Sequence, residues 1–288
     1  MPSEDADSPP KKNPFDAKSR WPLTLPLDDE AFPKVELFGK PLSFRLLGGP
    51  SLELSRGTKE STRIAGLPET SNRLLFLPGL GEKPLLLFPR PQLLCPGGLT
   101  LNVSLVISLG IQLSVSDAEE SHLLSEWPTP NASRGSYGPV DSALLCSSQV
   151  CPVSTGERYL SELFEESFSF PELVVEYKGD LDILRFPCWA LIPLKITNIT
   201  AMPLEVNKVM IPSNHLSFFQ NEETGQMITN ALSMRLLSTN EAELAIDDSP
   251  TPAGKWRYIT GRKIISADRR PYIFLHAYRS KTGLEHGF

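Results

Sequence analysis

The chain has 288 residues and a formal net charge of −6, from 28 Lys and Arg against 34 Asp and Glu, which argues against indiscriminate binding to nucleic acid. Its 27 prolines recur at intervals and often precede apolar runs, so short strands joined by loops are favoured over long helices. No uncharged apolar run reaches the roughly 18 residues that a membrane-spanning helix needs, so no membrane span is predicted.

The N-terminal residues 1–30 are rich in Pro, Ser, Asp and Lys and contain few residues that form a core. This composition predicts a disordered or loosely docked arm, whose end is pinned by Trp21 and the Leu-Thr-Leu run that follows. The polar, charged start shows no signal peptide. We therefore expect a cytoplasmic protein with reduced cysteines.

Residues 31–130 are predicted to form a β-rich subdomain. Three short strand candidates come first, separated by Gly-Lys-Pro and Gly-Gly-Pro turn sequences: Val35–Phe38, Leu42–Leu47 and Ser51–Leu54. The apolar runs Leu74–Leu77 and Pro84–Phe88 flank a Pro-Gly-Leu-Gly turn and predict a second hairpin.

The longest regular pattern runs from Leu99 to Val115, where an apolar residue occupies every second position through Gly110. Strict period two predicts extended structure, because successive side chains of a strand point to opposite faces. A bent long strand and a tight hairpin both fit this pattern. A helix is rejected, since it would scatter these residues around its circumference.

Residues 131–250 are predicted to form a β-sandwich subdomain. Two hairpins are expected there around short turn sequences: Leu173–Tyr177 with Leu181–Phe186, and Gln226–Leu237 with Glu241–Ile246. The segment Glu157–Glu166 has apolar side chains at helical spacing, although β pairing could override that preference.

The segment Trp189–Ile211 is predicted to be the central hairpin of the protein. Its arms are Ala190–Thr197 and Pro203–Ile211, joined by the polar turn Asn198–Met202. The alternation breaks near Asn207–Lys208, which predicts a β-bulge. Nothing in this segment argues for a binding role.

Together these patterns predict an all-β protein with an antiparallel β-sandwich-like architecture, formed by one domain or two packed β subdomains with at most one or two short helices. Apolar side chains at alternate positions bury one face of each strand, so two β layers pack together. Such an architecture has no built-in reaction centre.

The C-terminal residues 251–288 change in character, because basic residues outnumber acidic ones and alternate with Trp, Tyr and Phe. Cations attract phosphates and aromatic rings can stack on bases, so this tail is a candidate for binding anions or nucleic acid. The simpler interpretation is an amphipathic strand pair with solvated basic residues. The candidate anion-binding residues are Lys255, Arg257, Arg262, Lys263, Arg269 and Arg270.

Motifs that carry catalysis or hold a cofactor do not emerge from the sequence. There is no Walker lysine motif, and the stretch Asn131–Gly135 lacks the first glycine of a nucleophile elbow. Cys146 and Cys151 are further apart than in the usual zinc knuckle, so buried or loop thiols are favoured over a metal site. We therefore predict no catalytic residue, no cofactor and no metal ligand.

Two segments, Leu85–Val115 and Gly156–Ile211, carry an order of features seen in a known family. The first has an apolar run ending in Phe88–Pro89, two further prolines and the long alternating strand. The second has a Gly-Glu-Arg-Tyr step at Gly156–Tyr159 and a later strand–Asn-Ile-Thr–strand unit. In these features the chain resembles the domain of unknown function 432 family, which is largely archaeal. The resemblance implies a compact, mostly β protein and carries over no activity and no site residues.

Three hypotheses about function follow. The first is a non-enzymatic β module that binds a partner protein or a ligand, and the second is anion or nucleic-acid binding through the basic tail. The third is a β-scaffold enzyme that acts on carbohydrate or uses a metal, since one architecture hosts many chemistries. We favour the first, because the sequence combines high strand content with no catalytic constellation.

Overall fold

The computed structural model describes residues 19–27, 32–47, 50–57, 62–80, 85–90, 93–116, 121–128, 133–135, 138–147, 171–177, 183–211, 215–247, 254–261 and 272–275. Within these ranges the chain is extended almost throughout and forms no α-helix, which confirms the all-β prediction. In the same ranges, no helix has the length and apolarity needed to cross a lipid bilayer. The predicted helical segment Glu157–Glu166 lies outside the described residues.

The described residues form 24 strands, numbered in chain order. They are short because Pro, Gly and polar residues interrupt the apolar runs. The strands are β1 (Leu23–Pro26), β2 (Lys34–Leu37), β3 (Lys40–Leu47), β4 (Ser51–Arg56), β5 (Arg63–Gly66), β6 (Arg73–Gly79), β7 (Leu85–Arg90), β8 (Leu93–Cys95), β9 (Thr100–Ser108), β10 (Gly110–Ser116), β11 (Ser121–Trp127), β12 (Ser133–Gly135), β13 (Gly138–Ser147), β14 (Glu172–Glu176), β15 (Ile183–Pro187), β16 (Trp189–Asn198), β17 (Leu204–Val206), β18 (Val209–Ile211), β19 (Ser217–Asn221), β20 (Met227–Thr229), β21 (Leu232–Leu236), β22 (Glu241–Ile246), β23 (Trp256–Gly261) and β24 (Tyr272–Leu275).

Six of these strands form one sheet in the order β15–β14–β2–β3–β4–β5. Strands β2, β3 and β4 confirm the three short strand candidates near the N-terminus, and they pair in sequence order. The antiparallel pair β14–β15 confirms the predicted hairpin after residue 172. Val35 and Val175 face each other in the register of β2 and β14, and both are buried, as the alternating pattern requires.

The alternating stretch Leu99–Val115 is one extended segment that belongs to two sheets. Its first part, β9, lies in the largest sheet between β13 and β16, and its second part, β10, lies in a four-stranded sheet in the order β1–β6–β10–β11. At the junction, a Cβ on Gly110 would lie 2.6 Å from the carbonyl oxygen of Trp127, so this close approach requires glycine. The stretch is therefore a long strand that passes between sheets, since β9 and β10 do not pair with each other.

The central hairpin predicted for Trp189–Ile211 is wrong, because its two arms do not pair with each other. Strand β16 runs antiparallel to β9 over nine residue pairs and parallel to β21 on its other side, whereas β17 pairs with β8 and β18 pairs with β7. The second arm is two short strands, interrupted at Asn207–Lys208, where the bulge was predicted. Strand β9 is the better partner because it matches β16 along almost its whole length, while β17 and β18 have three residues each.

The hairpin predicted for Leu74–Leu77 and Pro84–Phe88 is also wrong. Strand β6 lies in the four-stranded sheet, and β7 lies in the largest sheet, where it pairs with β13 and β18. In contrast, β21 and β22 pair antiparallel as predicted, although Met227–Thr229 forms a separate strand beside β19. A short apolar run identifies a strand, but it does not identify the partner of that strand.

The described sheets share one apolar core. Phe44 of β3 contacts Phe32 and Phe76, with ring centroids 5.5 and 6.0 Å apart, and thereby joins the six-stranded sheet to β6 of the four-stranded sheet. Trp21 is fully buried, and its ring centroid lies 5.0 Å from that of Phe186. The end of the N-terminal arm is therefore pinned by Trp21 and by the pairing of β1 with β6, as predicted.

The predicted subdomains 31–130 and 131–250 contribute strands to the same sheets. Strand β2 pairs with β14 in the six-stranded sheet, and β9 pairs with β16 in the largest sheet. Ladders therefore cross the predicted boundary near residue 130, and the boundaries themselves stay a prediction.

Candidate functional site

Of the six predicted anion-binding residues, the structure describes two, which are Lys255 and Arg257. The other four lie outside the described residues: Arg262, Lys263, Arg269 and Arg270. Lys255 is exposed just before β23, and its backbone carbonyl accepts a hydrogen bond from the N–H of Glu222. Arg257 is half-buried within β23. The two neighbouring cations are therefore in different environments.

Arg257 holds the N-terminal arm in place. Its Nη2 donates hydrogen bonds to the backbone carbonyl of Trp21 and, at 3.4 Å, to Oε1 of Gln220. Gln220 is almost fully buried, and its side-chain amide pairs with the backbone of the N-terminal arm. Its Oε1 accepts a hydrogen bond from the Trp21 N–H, and its Nε2 donates one to the Ser19 carbonyl. Because both donor contacts of Nη2 are made within the protein, we assign Arg257 a structural role.

The described cysteines do not form a reactive or metal-binding centre. Cys95 and Cys188 are buried free thiols, and burial raises the pKa of both above the ordinary value of a thiol, most strongly for Cys188. Among the described residues, no group of three or more His, Cys, Asp and Glu side chains could hold a metal ion. The side chain of Cys146 and the whole of Cys151 lie outside the described residues.

A buried amide organises the turn that follows β16. Asn198 is fully buried, and its Nδ2 donates to the carbonyl of Cys95 at 2.9 Å and to the carbonyl of Met202 at 2.8 Å. Its Oδ1 accepts from the N–H of Thr200 at 3.0 Å and from the Thr200 hydroxyl at 2.8 Å. The amide uses both of its donors and accepts two bonds, so it ties the turn to the loop before β9.

Backbone contacts hold these two loops together. The N–H of Gly98 donates to the carbonyl of Thr200 at 2.9 Å, and the N–H of Asn198 donates to the carbonyl of Leu99 at 3.0 Å. A Cβ on Gly97 would collide with the carbonyl of Ala201, so the loops can approach this closely only because residue 97 is glycine. The geometry of the pair is therefore fixed by backbone and amide contacts.

Four exposed large apolar side chains lie on these loops or on the strand β8 that leads into them, and we call them the apolar loop pair: Leu94, Leu99, Ile199 and Met202. Their exposed fractions are 61, 53, 51 and 71%. They make up half of the exposed large hydrophobic side chains in the described part of the chain. Exposed apolar groups on neighbouring segments mark interaction sites more reliably than the same groups scattered singly.

The comparison with known protein families covers most of the chain. Residues 28–274 match a family described as "Protein of unknown function (DUF432)". The chain belongs to the DUF432 family. This membership confirms the resemblance seen in the sequence. No curated protein and no solved structure matches this DUF432 chain.

The apolar loop pair was missed by the sequence reasoning, which treated residues 198–202 as an ordinary turn. A usable signal exists, because residues 93–104 and 196–204 contain no Asp, Glu, Lys or Arg in a chain that is 22% charged. The sequence places these two stretches about a hundred residues apart. The pairings of β9 with β16 and of β8 with β17 bring the two uncharged stretches of the DUF432 chain together in the fold.

Proposed function

We propose that this DUF432 chain is a non-enzymatic binding module that docks a partner protein on the apolar loop pair. The observation that carries the proposal is the exposure of Leu99, Ile199 and Met202 on loops that are hydrogen-bonded to each other, and of Leu94 on the strand β8 that precedes one of them. Burying each such side chain against a partner is worth about 1.5–3 kcal/mol. Four together supply the apolar centre of a specific interface.

The loop pair is preorganised, which favours binding. The buried Asn198 amide and the Gly98–Thr200 hydrogen bond hold the loops before a partner arrives. A surface that is already ordered loses little conformational entropy on binding, so more of the contact energy appears as affinity. Met202, the most exposed of the four, has a flexible side chain that adapts to an irregular partner surface.

A partner protein fits this surface better than a lipid bilayer or a second copy. Residues 93–104 and 196–204 contain no Lys or Arg, which peripheral membrane sites use to attract anionic lipids. Two copies would each bring a net charge of −6 to the interface, which opposes self-association. Exposed Glu205 faces Leu94 in the β8–β17 register, so we expect a partner with an apolar centre and a neutral or basic rim.

The test uses the full chain with a photo-crosslinking residue at position 202, expressed in its source cells. The captured protein is then purified, and its affinity for the wild type and for Met202→Asp is measured by calorimetry. We expect Met202→Asp to weaken binding about 100-fold, because it removes an apolar contact and buries a charge. The matched control is Ile64→Asp, at a 63% exposed isoleucine on β5 of the six-stranded sheet, which should bind like the wild type.

Three results would contradict the proposal. The captured protein could bind Met202→Asp as tightly as it binds the wild type. Sedimentation could reveal a wild-type dimer that Met202→Asp dissolves, which would make the occupant a second copy. The wild type, but not Met202→Asp, could sediment with phosphatidylcholine vesicles, which would make the occupant a membrane.

A second candidate function is anion or nucleic-acid binding by the basic C-terminal segment. The observation that favours it is the exposure of Lys255, just before β23, together with the 39% exposure of Tyr258 within β23. Binding of labelled single-stranded DNA should weaken steeply between about 50 and 200 mM salt. Lys255→Ala should weaken it further, whereas Lys195→Ala, at an exposed lysine of β16, should not. Salt-independent binding, or none, would remove this candidate.

A further inference from the structure

The segment that leads into β1 and includes it lies across the surface of the protein, and we call residues 19–27 the strap. Its side chains alternate from residue 19 to residue 26, so that each buried side chain is followed by an exposed one. The buried side chains are Ser19, Trp21, Leu23 and Leu25. The strap therefore buries one face in a groove of the protein and leaves the other face in solvent.

The groove binds the backbone of the strap. The side-chain amide of Gln220 accepts a hydrogen bond from the N–H of Trp21 at 2.9 Å and donates one to the carbonyl of Ser19 at 3.1 Å. Arg257 donates to the carbonyl of Trp21, and β1 continues the strap as an antiparallel partner of β6. Every peptide carries the same backbone groups, so side chains alone decide which extended segment fits the groove best.

Two of the four buried side chains of the strap are poorly matched to the groove. The hydroxyl of Ser19 and the indole Nε1 of Trp21 are buried, and neither has a hydrogen-bond partner in the described part of the chain. A buried polar group without a partner opposes burial, because it has given up its hydrogen bonds to water. A segment with a small apolar side chain in place of Ser19 would therefore bind the groove more tightly than the strap does.

Release of the strap would uncover a sheet edge. Strand β1 is the end strand of the four-stranded sheet, so without it the backbone donors and acceptors of β6 that now pair with β1 would be open. The groove continues past this edge, where Gln220 and Arg257 bind the strap and Phe186 contacts the ring of Trp21. A strand edge beside side-chain pockets is the arrangement that recognises extended peptides by strand addition.

We propose that the strap is releasable, and that an extended segment of a partner protein takes its place in the groove by strand addition to β6. The groove defines the chemistry of that segment. It has a large aromatic side chain at the position of Trp21, leucine-sized side chains at those of Leu23 and Leu25, and a small apolar side chain at that of Ser19. This site does not include the apolar loop pair, so either proposal can fail without the other.

Hydrogen exchange of the full chain tests whether the strap opens while the rest stays folded. We expect the amides of β1 to exchange roughly tenfold faster than those of β16, which has partners on both sides in the largest sheet. Ser19→Ala should slow the exchange of β1 about threefold, because it removes an unsatisfied buried group. Ser43→Ala, at an exposed serine of β3, is the control and should leave that exchange unchanged. Equal protection of β1 and β16, or no slowing by Ser19→Ala, would overturn the proposal.

Peptide binding tests the occupant of the groove. The probe is a fluorescent peptide that copies residues 19–27 with Ser19→Ala, and fluorescence anisotropy gives its affinity. A full chain with Trp21→Ala has a weakened strap over an unchanged groove. It should bind the probe about 100-fold more tightly than the wild type, in which the tethered strap competes. A second peptide that also carries Leu23→Asp should bind neither chain, because it would bury a charge.

Three results of this binding experiment contradict the proposal. Neither chain could bind the probe, both chains could bind it equally, or the peptide with Leu23→Asp could bind as tightly as the probe. If Trp21→Ala does not fold, Leu23→Ala replaces it as the chain with the weakened strap. If neither variant folds, hydrogen exchange of the wild type and of Ser19→Ala decides whether the strap is releasable.

Discussion

Asn198 and Lys208 are buried residues at the two ends of the same short segment, and their polar groups differ in how the fold satisfies them. The Asn198 amide makes four hydrogen bonds, to Cys95, Met202 and Thr200, and every one of them closes within the protein. Lys208 is 9% exposed, but its Nζ is not one of the described buried polar atoms that lack a hydrogen-bond partner. The Asn198 amide is therefore satisfied by the protein itself, whereas burial of the Lys208 side chain lowers the pKa of its ammonium group.

The difference shows how burial is to be interpreted. A buried polar group whose hydrogen bonds are all satisfied stabilises a loop geometry, and its removal leaves several backbone groups without partners. A charge that loses hydration on folding, as the lowered pKa of Lys208 indicates, opposes the folded state. Substitutions at the two residues are therefore expected to change stability with opposite signs.

The largest effect is expected for Asn198→Ala. This change removes the amide donor to the carbonyls of Cys95 and Met202 and the acceptor of the Thr200 N–H, although the Thr200 hydroxyl still reaches the Met202 carbonyl at 2.9 Å. We expect a loss of about 3 kcal/mol in the free energy of unfolding. Urea denaturation measures it. Asn240→Ala, in the exposed turn between β21 and β22, is the control and should change stability by less than about 0.5 kcal/mol. Equal effects of the two substitutions would show that the Asn198 network contributes little.

Gly97→Ala tests whether the backbone contact between the loops is as tight as the geometry indicates. The added Cβ meets the carbonyl of Ala201 and lies 2.9 Å from that of Thr200, so we expect a loss of about 2 kcal/mol in urea unfolding. Gly66→Ala is the matched control, because its added Cβ meets nothing within 4 Å. A Gly97→Ala protein as stable as the control would mean that the loops separate easily.

Arg257→Ala and Lys255→Ala extend the comparison to a pair of neighbouring cations. Loss of the Arg257 hydrogen bonds to Trp21 and Gln220 should lower the free energy of unfolding by about 1.5 kcal/mol. Lys255 is exposed, so its removal should change stability by no more than about 0.5 kcal/mol. Both are measured by urea denaturation. The assignment of Arg257 to the N-terminal arm is wrong if the order of the two effects is reversed.

The smallest effect is expected for Lys208→Met, and its sign is stabilising. At pH 7, replacing the partly desolvated charge of Lys208 by an apolar side chain of similar length should raise the free energy of unfolding by about 1 kcal/mol. Parallel urea unfolding of the wild type and the variant measures the difference. A destabilised Lys208→Met protein would show that desolvation of the charge costs less than the contacts of the lysine side chain contribute.

The pH dependence of that difference has a definite direction. Burial lowers the pKa of Lys208 in the folded state from its ordinary value of 10.5, so between these two values the unfolded chain binds more protons. The stability of the wild type therefore rises with pH relative to Lys208→Met across a window that ends near 10.5. Urea unfolding at pH 7 and pH 9.5 tests this, and a constant difference would count against it.

The sequence by itself determined that this is an all-β chain and which faces of many strands are buried. Those properties are local, because alternation with period two is read within one strand, as in Leu99–Val115. The sequence also indicated the family and the interruption at Asn207–Lys208. The hairpin prediction for Trp189–Ile211 failed, because alternation does not specify which strand is the partner.

Only the tertiary structure decided what the polar residues do. Gln220 binds the backbone of Ser19 and Trp21, and Asn198 binds that of Cys95, so their partners come from distant parts of the chain. The pairings of β9 with β16 and of β8 with β17 likewise bring two uncharged loops together. The burial and the hydrogen-bond partners of these residues depend on which strands pair with each other. No local sequence pattern encodes that choice of partners, so only the tertiary structure shows it.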